Sequence, residues 1–379
     1  MAKNIEMLSR NRELAEKGDA NAQFNLGRVL SKSDREQSIK WLALSAGQGH
    51  EEAKALLSQM LGVPPPEEVG DPLDTGLPRE SKESLLAAAE AGEADAMVAL
   101  GDRYRTGDGV EHDPAEALKW YNRAAEAGSA LGECALGMVY DLGVGVPVDE
   151  NKAKAWYLKA ARQGDARAQF NLGNMIREGR GGSANAAVAA KWFKAAAEQG
   201  DAAAHFVLGA LYETGSGLDR DMEQAAEHYR DAAEMGDADA QFNLANMLRL
   251  GRGTQCDLSE AARFYRRAAE QGLAAAQFNY ALMLATGQGV GQDEAAAARW
   301  LRRAAEGGDP RARFELGRMC AAATPGNPVE AYLWFGLAAK DAAIGARARE
   351  AQDKLAKRLD PKSLAEARRR LEKASEGAA

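Results

Sequence analysis

Seven glycines, Gly92, Gly128, Gly164, Gly200, Gly236, Gly272 and Gly308, stand 36 residues apart. No other feature restricts the fold as much, because a unit this short cannot bury an apolar face alone and its copies must stack on one another. Between the glycines one pattern recurs in phase. Leu-Gly falls at 100–101, 136–137, 172–173, 208–209 and 316–317, with Leu-Ala at 244–245 and Tyr-Ala at 280–281. A Gly-x-Gly follows at 107–109 and at each repeat interval to 287–289. Next comes an aromatic, Trp120, Trp156, Trp192, Phe264 or Trp300, with His228 in that place once. An Ala-Ala pair closes each unit, as at 124–125 and 160–161.

Each unit reads as helix, turn, helix. In the first helix Ala168, Leu172, Met175 and Ile176 share one face at helical spacing. Gly173 lets the second helix approach closely, and the Gly-x-Gly supplies the positive φ that closes the first helix. Asp113, Asp149, Asn185, Asp221, Asp257 and Asp293 are the expected N-caps of the second helices. Asp113/Glu116, Asp221/Gln224 and Asp257/Glu260 have capping-box spacing. The aromatic and the Ala-Ala pair are expected on the buried face of the second helix.

The array extends beyond its regular copies. Residues 1–17 read as an N-terminal capping helix, and 18–91 as two degenerate units, the second carrying a Pro-rich loop at 63–78 that no helix accommodates. Residues 92–307 hold six regular units, 308–342 a shortened last one, and 343–379 a basic helical cap split at Asp360-Pro361. The expected fold is therefore all-α, about nine helix-turn-helix units with helical caps.

The pattern A-x-x-x-L-G-x-x-Y, then G-x-G, then W-Y-x-x-A-A-x-x-G, clearest at 92–127 and 128–163, resembles the Sel-1-like repeat family, a branch of the tetratricopeptide-like solenoids. The resemblance implies a right-handed α-solenoid acting as an adaptor or scaffold in assembling complexes. It also leaves open a bacterial immunity or secretion-linked role. The unit at 49–91 lacks the Gly-x-Gly and the Trp, and no repeat carries the cysteine pair that staples some relatives.

Composition removes several alternatives. With 56 acidic and 48 basic residues the net charge is −8, which speaks against a general polyanion binder. No stretch approaches a membrane span, and Met1–Leu14 contains no apolar leader core. Cys134, Cys256 and Cys320 form no CxxC, which fits a reducing cytoplasm. His50-Glu51 begins like a metalloprotease motif, but Lys54 stands where its second histidine belongs. His205 lies one helix before His228 and comes near it in this reading, yet two histidines fall short of a zinc set. We expect no catalytic residue, no metal and no cofactor.

The remaining question is which residues face a partner. In related solenoids the first helix lines the concave surface, and there the side opposite the core carries Arg167, Phe170, Asn174 and Arg177. Asn-x-x-Arg-x-x-Arg recurs as Asn174/Arg177/Arg180 and Asn246/Arg249/Arg252. Asn amides and Arg forks suit peptide backbone and carboxylates. Phe170, Phe206, Phe242 and Phe278 would line the groove with apolar walls, or else pack between adjacent helices. Arg105, Asp141, Arg177, Glu213 and Arg249 share one column of alternating sign, which predicts ion pairs between neighbouring units. The expected partner is a protein or peptide segment held in this groove. The alternative is RNA or another polyanion bound by the same arginines and the basic cap, with affinity falling steeply with salt.

Overall fold

The 36-residue period appears in the computed structural model as a chain of helix pairs, described for residues 82–322 and 327–376. Most of the readings on 1–91, including the capping helix at 1–17, the first degenerate unit and the loop at 63–78, lie outside the described residues. Seventeen helices and no strand occur among the described residues. The helix α1 (Lys82–Glu90) precedes the pairs α2 (Ala94–Thr106) with α3 (Pro114–Glu126), α4 (Ala130–Leu142) with α5 (Glu150–Arg162), and α6 (Ala166–Glu178) with α7 (Ala186–Ala197). There follow α8 (Ala202–Thr214) with α9 (Met222–Glu234), α10 (Ala238–Leu250) with α11 (Leu258–Glu270), and α12 (Ala274–Thr286) with α13 (Glu294–Glu306). The shortened unit is α14 (Pro310–Ala322) with α15 (Pro328–Ala338), and α16 (Gly345–Ala356) and α17 (Pro361–Glu376) end the chain. Each helix from α1 to α15 packs on the next in the chain, while α16 and α17 both pack on α15, and none of those described is long and apolar enough to cross a membrane.

Caps set the boundaries. Asp165 accepts from Ala168 N at the start of α6, and Gly179 ends it in the left-handed region at φ 77°. Every expected second-helix cap is made, from Asp113 on α3 to Asp293 on α13. The capping boxes form by half. Asp221 accepts from Gln224 N, but the Asp221 N–H donates to the Tyr212 carbonyl at the end of α8. Asp113, Asp149, Asn185, Asp257 and Asp293 likewise donate to Tyr104, Tyr140, Ile176, Leu248 and Leu284. The first helix thus takes the donor that a reciprocal side chain would have satisfied, and the start of the second helix is tied to the end of the first.

The expected burial of the aromatic column holds at Trp120 and Phe264 but not at every unit. The largest fully buried rings are Phe264 of that column and those one position further on: Tyr121, Tyr157, Phe193, Tyr229 and Tyr265. Trp156, Trp192 and Trp300 are only half-buried. The following residue, turned 100° further round the helix, points between the paired helices at the Leu-Gly glycine. A base three residues on covers the tryptophan, whether buried or at the edge: Arg123 over buried Trp120 at 4.3 Å, Lys159 over half-buried Trp156 at 3.8 Å, Arg303 over half-buried Trp300 at 4.9 Å. Each buried ring contributes about 1.5–3 kcal/mol, and the Ala-Ala pairs beside them are almost wholly buried.

The two glycines of Gly-x-Gly have different duties. Gly251 caps α10 at φ 63°, with no neighbour nearer than 3.5 Å to a Cβ placed there. Gly253 also has φ 63°, but its Cβ would fall onto the Met222 carbonyl at the start of α9 in the preceding unit. Successive units therefore meet backbone to backbone at this joint. At the C-terminal end Ala331, Phe335, Leu355 and Ala367 form a separate small core beneath α16 and α17, and Arg368, Arg369 and Arg370 stay exposed.

Candidate functional site

The phenylalanine row packs between helices. Phe170 lies 5.7 Å from Phe193, Phe206 5.8 Å from Tyr229 and Phe242 5.9 Å from Tyr265, ring to ring and tilted. All three are half-buried, while Phe278 is buried with the Arg311 guanidinium 4.4 Å over its ring. Of the two uses expected for this row, the geometry favours packing, leaving one edge of each half-buried ring open.

The two Asn/Arg sets are built differently. Exposed Arg177 reaches Asn174 Oδ1 at 3.1 Å and Glu178 at 3.2 Å, and Arg167 is half-buried nearer the start of the same helix. In the other set the buried Tyr265 hydroxyl donates to Asn246 Oδ1 at 2.7 Å and accepts from Arg249 Nε at 3.3 Å. The same use of a buried phenol recurs where Tyr121 donates to Asp102 and Tyr229 to Glu213. Burial, reinforced by Asp102, Asp141 and Glu213 respectively, pushes the Tyr121, Tyr157 and Tyr229 hydroxyls well above the ordinary phenol range.

The column of alternating charge does not pair along itself as expected. Asp141 is bound by Arg180 of the next unit rather than by Arg177, which turns to Glu178 beside it. Arg105 meets Asp102 on its own helix at 3.7 Å. The exposed Arg177–Glu178 pair contributes about 0–1 kcal/mol, whereas Arg105–Asp102 and Arg180–Asp141 are partly shielded from solvent.

A second polar row went unread in the sequence. Gln169, Gln241 and Gln277 each donate Nε2 to the carbonyl eight residues back, Ala161, Ala233 and Ala269, at 3.0–3.2 Å. Their own amide oxygens are served by a glutamine 30 residues on: Gln199 donates to Gln169 and Gln271 to Gln241, both at 2.9 Å. Gln277 has Gly307 in that place, and its oxygen is buried without a partner. The recurrence of glutamine at the repeat interval was the available signal.

His205 occupies this row, between Gln169 and Gln241. Its Nε2 lies 3.1 Å from the Ala197 carbonyl, in the place of the glutamine donors. Its Nδ1 lies 3.1 Å from His228 Nδ1 and 3.3 Å from Asp231 Oδ2. His228 is stacked on Tyr212 at 5.5 Å, and burial, then the neighbouring His205, holds its pKa below the ordinary histidine value. The structure thus joins the two histidines that the sequence set one helix apart and adds a carboxylate. Of the cysteines, Cys134 is buried with its thiol pushed up by that burial, Cys320 is half-buried and shifted likewise, and Cys256 is exposed.

Comparison with known proteins agrees with this architecture. The Sel1 repeat matches residues 20–50, then six consecutive segments from 94 to 309, and 310–341. A Sel1 repeat protein from Oxalobacter formigenes is 28% identical, with a TM-score of 0.55 over 91% of each chain. A protective antigen of uropathogenic Escherichia coli with an SLR fold is 27% identical, covering 97% of this chain and 94% of its own, with a TM-score of 0.44. An immunity protein from Pseudomonas aeruginosa is 20% identical, covering 62% of this chain and 86% of its own, with a TM-score of 0.35. No curated protein matches the sequence. The repeat matched over most of the length and the helix pairs that realise it make this chain a member of the Sel1 repeat family, an all-helical solenoid.

Proposed function

We propose that this protein is a non-catalytic cytoplasmic scaffold that holds a protein segment along the ends of its first helices. One observation carries the reading. The last residue of each of the seven paired first helices is exposed, and its chemistry changes from unit to unit: Thr106, Leu142, Glu178, Thr214, Leu250, Thr286 and Ala322. Behind this column the core positions repeat almost unchanged. Packing does not demand the variation, so it is free to match an extended or helical ligand that meets several units in turn. Leu142 and Leu250, 55% and 47% exposed, offer apolar anchors that a lone protein gains nothing by displaying. Arg177, Asn174 and Arg249 stand beside the column and supply polar contacts, with Arg167, Asn246 and the open edges of Phe170, Phe206, Phe242 and Phe278 behind them. Three free cysteines suit a reducing compartment.

The test compares wild type with an Arg177→Glu/Leu250→Lys double variant, both confirmed helical by circular dichroism, in affinity capture from the native host. A protein retained by wild type and lost by the variant supports the reading. Equal retention by both moves the site off this face. Retention of nucleic acid alone, released by moderate salt, replaces it with the polyanion alternative.

A further inference from the structure

We infer that His205, His228 and Asp231 form a binding site for a divalent transition-metal cation of the zinc class, present in one repeat among the described residues. Four positions of this unit depart from their columns, and three of them, His205, His228 and Asp231, meet at one point. His205 stands in the glutamine row. His228 stands where four other units have Trp, and Asp231 stands where Arg123, Lys159, Arg267 and Arg303 supply a base. Met235 replaces the glutamine that would have donated to residue 205, as Gln199 does to Gln169.

These substitutions determine the chemistry. His205 Nε2 inherits the donor role of Gln169, Gln241 and Gln277 and gives its hydrogen to the Ala197 carbonyl. A ring nitrogen fixed in this way is how proteins orient a metal-binding imidazole. The lone pair of a neutral ring is then on Nδ1, deprived of the glutamine donor and aimed at His228 Nδ1 and the Asp231 carboxylate. A proton placed there answers one of these two contacts; a metal ion answers both.

The spacing fits. Zinc bonds of about 2.0–2.1 Å set adjacent ligand atoms about 2.9–3.4 Å apart in tetrahedral or octahedral geometry. The measured separations from His205 Nδ1 are 3.1 Å and 3.3 Å. One ligand atom from each residue lies within 4.8 Å of the others, and Asp231 is exposed enough to swing inward. His228 and Asp231 are one helical turn apart on α9, while His205 comes from α8, so the ion would bridge the pair. Two imidazoles and a carboxylate suit zinc, nickel, copper or iron. Lys194 on α7 opposes a cation here and Glu227 on α9 favours one.

The test is titration of the metal-free full-length chain with Zn²⁺ by calorimetry and with Co²⁺ by visible absorption. Wild type is expected to take up one equivalent, and His112→Ala, which alters an exposed histidine elsewhere, should keep it. His228→Trp/Asp231→Arg restores the residues of the sister units and so should fold; it should lose the equivalent. Asp231→Asn, nearly isosteric, should weaken binding on the order of tenfold or more. No stoichiometric uptake by wild type, or unchanged uptake by the restored variant, overturns the site.

Discussion

Gly173 and Phe193 compete for one space: a Cβ on Gly173 would lie 2.7 Å from the Phe193 Cε1 atom. Gly101, Gly137 and Gly209 face Tyr121, Tyr157 and Tyr229 in the same way. The absent side chain and the buried ring are one packing device, repeated up the array. Gly173→Val should therefore destabilise by about 1–3 kcal/mol through overpacking, and Phe193→Ala in the same chain should relieve part of that loss. Urea unfolding of the two singles and the double provides the check. Strictly additive losses would mean that the two positions do not share the space.

Gly251 and Gly253 separate two causes that usually travel together. Both sit at φ 63°, so alanine at either position incurs the left-handed penalty of about 1–2 kcal/mol. Only Gly253→Ala also drives a methyl into the Met222 carbonyl of the neighbouring unit. It should lower the unfolding midpoint clearly more than Gly251→Ala does. Equal losses would show that the joint between units yields freely.

Alkali should unfold this array through its buried phenols. Tyr121, Tyr157 and Tyr229 have folded-state pKa values above the ordinary value of about 10. Below that value each is neutral whether folded or not, and its contribution is fully present. As pH rises past it the unfolded chain loses protons that the folded one retains, so stability declines steadily towards the folded-state pKa. Near-UV phenolate absorbance should therefore show these tyrosines ionising together with the loss of helical signal. Complete ionisation at about pH 10–11 with the helices intact would contradict their burial.

How far the sequence could be read depends on what each residue answers to. Periodic constraints were legible: Gly-x-Gly, the N-cap aspartates and Leu-Gly recur because every unit meets the same neighbours. The chain breaks between Gly345–Ala356 and Pro361–Glu376 because Asp360-Pro361 is a strong helix break. Choices separated by a single helical step were not legible. Trp156 and Tyr157 are both aromatic, and only the position of Gly137 decides which one is swallowed. Ion pairing failed for a related reason: Asp141 had Arg177 and Arg180 to choose between, and it pairs with Arg180. His205 and His228 needed three dimensions, because their meaning lies in what Gln169, Gln199 and Trp192 do in sister units.

The backbone joint at Gly253 also bears on how such a chain can change its length. Because this one joint between units rests on a glycine against a carbonyl, that part of the fit asks nothing of the side chains on either side. A duplicated stretch brings its own half of the joint and accepts the other half from whatever precedes it. The array can gain or lose a cassette of 36 residues without either neighbour being redesigned, and each added copy extends the exposed column by one letter whose identity is open.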